Sequence, residues 1–197
     1  MNRNCALVAM VFSVGFLQAC SSDAPTHFYT LDPILTPANN PVTKREQPRV
    51  IGIGPVALPA LLNRKGIVTR SAQPDVDIAE TQQWAEPLLD NVTRVISRNL
   101  ANLQPQDIIY AYPWALLDAV HYRVAIDVLQ FDAQLGQSVT FEAVWTIKTE
   151  QQQHVSKRGH TRISHPLPSQ EIGMMVKLMD QILAEFSTQL SADLQAY

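Results

Sequence analysis

Residues 122–150 read YRVAIDVLQFDAQLGQSVTFEAVWTIKTE. Apolar and polar side chains alternate through Tyr122, Val124, Ile126 and Val128, and the apolar set resumes at Phe131. They alternate again through Val139, Phe141, Ala143, Trp145 and Ile147. A period of two places each apolar set on one face of a strand. Gly136-Gln137 between them predicts a tight hairpin with arms Tyr122–Leu135 and Ser138–Glu150. After a loop around Glu150–Gln153, Gln152–Ser164 is polar on both faces and predicts an outer strand.

Helical spacing flanks this sheet on both sides. In Trp84–Gln104 the residues Trp84, Leu88, Leu89, Val92, Val95, Ile96, Leu100 and Leu103 form one apolar stripe. Pro87 suits the first turn and Pro105 stops the helix. A second helix is expected from Ser169, as N-cap, to near Leu194. Its stripe runs Ile172, Met175, Val176, Met179, Ile182, Leu183, Phe186 and Leu190. Asp107–Ala111 is a short strand.

Upstream, Val50–Leu58 reads as a buried strand, with Pro55 marking a bulge or edge. Gly52 and Gly54 inside it allow close backbone packing. Ala60-Leu61-Leu62-Asn63 is a turn, followed by a strand at Gly66–Ser71. The polar stretch Ala72–Gln83 holds one weak strand near Val76–Ala79. The order is therefore β-β-β-α-β-β-β-β-α, with no internal repeat. Each helix has one wide apolar face. The expected fold is α+β in two layers: a mixed, mostly antiparallel sheet with two long helices on one face.

The N-terminus carries a different signal. Arg3 precedes a charge-free run from Cys5 to Leu17, which ends in Leu17-Gln18-Ala19-Cys20. The run is shorter than the ~20 residues of a membrane span and has the length of a signal h-region. A small residue before a cysteine is the layout of a bacterial lipoprotein signal. Cleavage between Ala19 and Cys20 would remove residues 1–19 and leave Cys20 to be acylated with palmitate-type chains. Gln18 departs from the usual small or β-branched residue. The plainer alternative is an ordinary secretory signal that leaves Cys20 as a free thiol, a liability in an oxidising compartment. Two or more acyl chains make attachment stable. Ser21 and Ser22 stand where an inner-membrane retention signal usually places Asp, so the expected site is the periplasmic face of the outer membrane.

Residues 20–48 are rich in Pro, Asn, Thr and Ser and read as a lipidated tether. One apolar island, Phe28-Tyr29-Thr30-Leu31, suggests a short strand docked on the domain. The free tether, Ser21–His27, then reaches at most about 25 Å. Residues 49–197 form one domain.

The chain has 15 Lys and Arg against 18 Asp and Glu, a formal net charge of -3. Loss of Arg3 with the signal makes it -4. This gives no basic footing for nucleic acid. With Cys5 in the signal and Cys20 acylated, neither a disulfide nor a thiolate metal site is available.

The chain contains no G-x-S-x-G elbow, H-E-x-x-H pair or P-loop. His154 and His160 share strand parity without a third ligand at metal-site spacing, so they read as solvent-facing. Gly52-Ile53-Gly54 lacks the third glycine of a dinucleotide site. Asp127 and Asp132 could pair as carboxylates but read as ordinary strand-end acids. Asn91-Val92-Thr93 matches a glycosylation sequon inside a helix and is discounted. Met174, Met175 and Met179 could line an adaptable groove, although their spacing favours core. Leu58, Leu61, Leu62 and Arg64, with Lys65, form an apolar-basic loop. It is either a partner surface or a turn folded onto the core.

Five pieces in order carry a resemblance: Phe28-Tyr29-Thr30-Leu31; Ile51-Gly52-Ile53-Gly54-Pro55-Val56-Ala57-Leu58-Pro59 running into Leu61-Leu62-Asn63-Arg64; Ile67-Val68-Thr69-Arg70; Trp84-Ala85-Glu86-Pro87-Leu88; and Phe131-Asp132 before Gly136 and a strand with Trp145. With the lipoprotein signal, the chain resembles the ABC-type transport auxiliary lipoprotein family, which includes the PqiC-type lipoproteins. The resemblance implies a non-catalytic outer-membrane accessory and docking subunit of an MCE-type intermembrane phospholipid transport system, contributing to envelope integrity. It implies a periplasm-spanning MCE-domain partner, a homo-oligomeric ring, no cofactor beyond the acyl chains on Cys20, and no catalytic or metal residues. Two other readings compete: a lipid carrier with its own apolar pocket between sheet and Met-bearing helix, and a periplasmic hydrolase.

Overall fold

In the computed structural model the described residues are 24–34, 47–71, 75–114, 120–149 and 154–197. Ala19, Cys20 and most of the tether lie outside them. The elements are β1 (His27–Tyr29), β2 (Val50–Ala57), a 3-10 turn (Ala60–Leu62), β3 (Gly66–Arg70), β4 (Val76–Trp84), α1 (Leu88–Leu103), β5 (Ile108–Ala111), β6 (Tyr122–Gln134), β7 (Ser138–Thr149), β8 (His154–Pro166) and α2 (Ile172–Gln195).

The β6–β7 hairpin is the frame of the sheet. Its antiparallel register runs from Tyr122 opposite Thr149 to Gln134 opposite Ser138. Three residues close it rather than two: Gln137 N donates to Gln134 O (3.0 Å), and Gly136 takes a φ of 76° that a glycine adopts without strain. This register sets Phe131 opposite Phe141, and a register shift between Val128 and Gln130 brings Val124, Ile126 and Val128 to the same face. β8 adds antiparallel to β7, from Thr149 opposite His154 to Ser138 opposite Pro166. The other side of β6 is shared by two strands. β2 runs parallel to residues 122–127, and β3 runs parallel to Ala133 and Gln134. β5 extends the sheet from β2, while β4 and then β1 extend it from β3. The long ladders are antiparallel and the short ones mostly parallel, so the sheet is mixed and mostly antiparallel, as expected.

Both helices cover one face. Val124, Ile126, Val128 and Phe131 of β6, with Val139, Phe141, Ala143, Trp145 and Ile147 of β7, are buried beneath them. Phe141 joins the layers: its ring lies 5.3 Å from Phe131 and 4.9 Å from Phe186 of α2. Fully burying such a side chain stabilises by roughly 1.5–3 kcal/mol. Met175 and Met179 sit in this core and fill it, while Met174 faces solvent. Pro55 falls where the β2–β6 register shifts, between Ile53 and Val56.

Several boundaries differ from the sequence reading, β8 among them, which runs His154–Pro166 and not Gln152–Ser164. β4 is nine residues long and ends at Trp84, which therefore belongs to a strand. α1 starts after Pro87. α2 starts at Ile172, not at Ser169. The Ser169 carbonyl accepts from Gly136 N (2.9 Å) and its hydroxyl from Glu171 N (3.0 Å), so Ser169 orders the turn before the helix. The island after the tether pairs as His27–Tyr29, leaving Thr30 and Leu31 beyond the strand.

Past β1 the chain is held across both helices. Leu31 is fully buried, and its carbonyl accepts from Arg94 Nη2 of α1 (2.9 Å). Asp32 N donates to Asp180 Oδ1 of α2 (3.0 Å). Burial pushes the Asp180 carboxyl up to about 6; the Asp32 hydrogen bond opposes this, and the Asp32 charge adds to it. A raised carboxyl binds its proton more tightly folded than unfolded, so its contribution to stability falls as pH rises from about 4 to about 6 and is level above that. Asp180→Asn is expected to raise stability at pH 7 by about 1 kcal/mol, after discounting for solvent screening, and to change little near pH 4. Urea unfolding at the two pH values measures the difference.

Candidate docking site

Three segments far apart in sequence meet at one corner. The end of β4 is their hub. On one side, Trp84 N donates to Lys65 O (2.8 Å), fixing the loop before β3. On the other, Ala85 N donates to Tyr29 O (2.8 Å), and Tyr29 Oη donates to Gln82 Oε1 (2.6 Å). Glu86 then accepts from Arg94 Nη2 (2.7 Å) and Thr30 Oγ1 (3.3 Å), while Arg94 also reaches Asn91 Oδ1 (2.8 Å). Pro87 ends the loop and opens α1.

These contacts shape a hollow of about 270 Å3 lined by Asn63, Arg64, Lys65, Trp84, Ala85, Glu86 and Pro87. Its wall is mainly apolar. Trp84 is nearly buried there, and the exposed Arg64 and Lys65 stand at the rim. The volume is just below that of ordinary small-molecule pockets and fits one large side chain of a partner. Its carboxylate, Glu86, is committed to Arg94 and Thr30.

The loop residues singled out from sequence divide in role. Leu62 is 4% exposed and belongs to the core. Leu58 and Leu61 are half-buried and pack against that core. Arg64 is exposed, and its Nε donates to Leu61 O (2.7 Å), stiffening the turn. The loop thus anchors itself with leucines and presents Arg64 and Lys65. Sequence reasoning missed Asn63, Trp84, Ala85, Glu86 and Pro87 as lining residues. The available signal was that the Phe28–Leu31, Leu61–Arg64 and Trp84–Leu88 segments already stood out together.

Other candidates take structural places. Among the described residues no group of three His, Cys, Asp or Glu could hold a metal ion. His160 Nε2 lies 2.8 Å from Glu142 Oε1, and Arg162 also bonds that carboxylate. These bonds, that of His160 first, hold the half-buried Glu142 carboxyl below its usual value. Asp132 is buried and paired with Arg70 Nε (2.8 Å), whereas Asp127 is exposed. Asn91 of the sequon is fully buried in α1. No described helix is long and apolar enough to cross a membrane.

Two solved structures share the fold. One, described as an uncharacterized protein, is 18% identical with a TM-score of 0.72, covering 87% of this chain and 99% of its own. The other, a Xanthomonas campestris protein of family DUF330, is 18% identical with a TM-score of 0.70, covering 84% and 93%. No curated protein matches the chain in sequence. The family model of the ABC-type transport auxiliary lipoprotein component matches residues 29–191, from β1 almost to the end of α2. The chain belongs to that family, and is a non-enzymatic accessory lipoprotein.

Proposed function

We propose that this chain is the outer-membrane docking subunit of an MCE-type intermembrane phospholipid transport system. Acyl chains on Cys20 fix it to the periplasmic face of the outer membrane. The Trp84 hollow, with its Arg64 and Lys65 rim, receives the periplasm-spanning MCE-domain partner. The family match over residues 29–191 carries this reading. The hollow supports it, because two of the segments that resemble the family line it and a third, Phe28–Leu31, braces it. The first strand begins at His27, so only a short tether separates that corner from the anchor. The core positions of Met175 and Met179 weigh against a carrier pocket between sheet and helix.

Affinity pulldown of the acylated full chain from detergent-solubilised membranes tests the reading. An MCE-domain protein is expected with the native chain. Reversing the two exposed rim charges, Arg64→Glu with Lys65→Glu, is expected to cut its recovery roughly tenfold, a change of about 1.4 kcal/mol. Failure to recover any MCE protein, with phospholipid bound to the isolated chain, would turn the assignment to a carrier. Cys20→Ala is expected to move the protein from the outer-membrane pellet to the supernatant after a high-salt wash. Retention through that wash would remove the anchor from the scheme.

A further inference from the structure

Two segments shape the Trp84 hollow, and they differ in kind. Trp84, Ala85 and Pro87, at the end of β4 and beyond it, give an apolar wall. Arg64 and Lys65, before β3, give a cationic rim. Glu86, the carboxylate in the lining, is already bonded to Arg94 Nη2 (2.7 Å) and Thr30 Oγ1 (3.3 Å). It does not neutralise the rim. Among the described residues neither Arg64 nor Lys65 has an acidic partner.

The rim is also held in place. Arg64 N donates to Leu62 O (2.9 Å), and Arg64 Nε donates to Leu61 O (2.7 Å). Both bonds tie it to the 3-10 turn and set the direction of its guanidinium, leaving Nη1 and Nη2 for a ligand. The Lys65 carbonyl accepts from Trp84 N (2.8 Å), which keeps Lys65 at the edge of the hollow. A guanidinium oriented in advance matches a carboxylate through two parallel hydrogen bonds. The apolar space of about 270 Å3 beside it matches one large side chain, and an aromatic ring gains most from a wall that includes an indole. A lone phosphate would meet the rim and leave the apolar wall unfilled. At protein interfaces, rings seated in pockets carry much of the binding energy, and charges around them select the partner.

We propose that the hollow recognises a protein segment in which an aromatic residue lies beside an acidic one. The ring enters against Trp84, Ala85 and Pro87. The carboxylate meets the two Nη groups of Arg64, and Lys65 adds to the attraction. A ring beside a cation is repelled by the same rim. The proposal rests on the docking role given above and adds the chemistry of the segment that docks.

NMR titration of the isotope-labelled chain from residue 20, carrying Cys20→Ala, tests it with indole-3-acetate, tryptamine, acetate and inorganic phosphate. Indole-3-acetate joins a ring to a carboxylate, and tryptamine keeps the ring and reverses the charge. Indole-3-acetate is expected to shift the amide signals of residues 63–65 and 84–86 saturably. The other probes should bind at least about tenfold more weakly. Arg64→Glu with Lys65→Glu, both exposed positions, should exchange the preference, so that tryptamine becomes the tighter ligand, with signals of the β6–β7 hairpin unmoved. No saturable shift at these amides, tryptamine binding as tightly as indole-3-acetate, or a preference that survives the charge reversal overturns the proposal. Acetate or phosphate matching indole-3-acetate also overturns it, because the rim is then a plain anion site. The docking role fails separately. An MCE-domain protein recovered by a chain whose hollow ignores the probes keeps the docking role and removes this recognition rule. Probes bound with the expected preference, with no MCE-domain protein recovered, do the reverse.

Discussion

Arg49→Ala is expected to destabilise the chain by about 3–5 kcal/mol, the cost of breaking a buried ion pair by removing one partner. Arg49 stands just before β2, and its guanidinium is spent entirely on the interior. Nε donates to Asp107 Oδ1 (3.1 Å), Nη2 to Asp107 Oδ2 and to Gln104 Oε1 (3.0 Å), and Nη1 to Leu194 O (2.7 Å). Gln104 passes the link on, its Nε2 donating to Ser191 O (3.1 Å) and Oγ (3.0 Å). One side chain therefore ties the start of β2, the end of α1, the turn before β5 and the end of α2. It also lies over the Tyr122 ring at 5.5 Å. The Asp107 side chain has no solvent exposure, so removing the Arg49 side chain takes the guanidinium away from a buried carboxylate. Thermal unfolding should show a midpoint lowered by on the order of 10 °C. Asp107→Ala should cost a similar amount, and the double variant much less than the sum, because the two share one interaction. Full additivity would mean that the pair does not act as a unit.

Nothing in the sequence marks Arg49 as a core residue. It follows Pro48 at the end of a tether-like stretch, where a basic residue is normally solvated. Burial of a cation is decided by what the end of another element brings to it, and period counting does not see that. The hairpin arms and both helical stripes were legible because one buried face imposes a regular period on each. β4 was not, because Val76–Trp84 is half-exposed along most of its length and carries Asp77, Glu80, Thr81, Gln82 and Gln83. Trp84 fitted the helical stripe by spacing, yet its backbone pairs with Lys65 and ends a strand; the break at Pro87 was the better boundary signal. In the Trp84 hollow, Arg64 was legible as a surface charge beside leucines. The burial of Leu62 beneath it was not, since a leucine in a short turn reads the same in either position.

Phe141→Ala is expected to cost about 3–5 kcal/mol, whereas Val144→Ala three positions along the same strand should stay within about 0.5 kcal/mol. The contrast follows from strand parity. Val144 lies on the open face and is 40% exposed. Phe141 points at the helices and is fully buried between Phe131 of β6 and Phe186 of α2. Its neighbours cannot close the gap easily. Phe131 stands directly opposite it in the β6–β7 ladder, and Ile163 of β8 stands opposite on the other side. Phe186 is held in a 24-residue helix whose far end is pinned by Arg49. A cavity persists where surrounding groups cannot relax, so the loss should lie toward the upper part of the range. Phe141→Leu keeps most of the volume and should cost clearly less than Phe141→Ala. Urea unfolding of the three variants checks the order. A Phe141→Ala chain as stable as Val144→Ala would mean that the helices do not close over this face of the sheet.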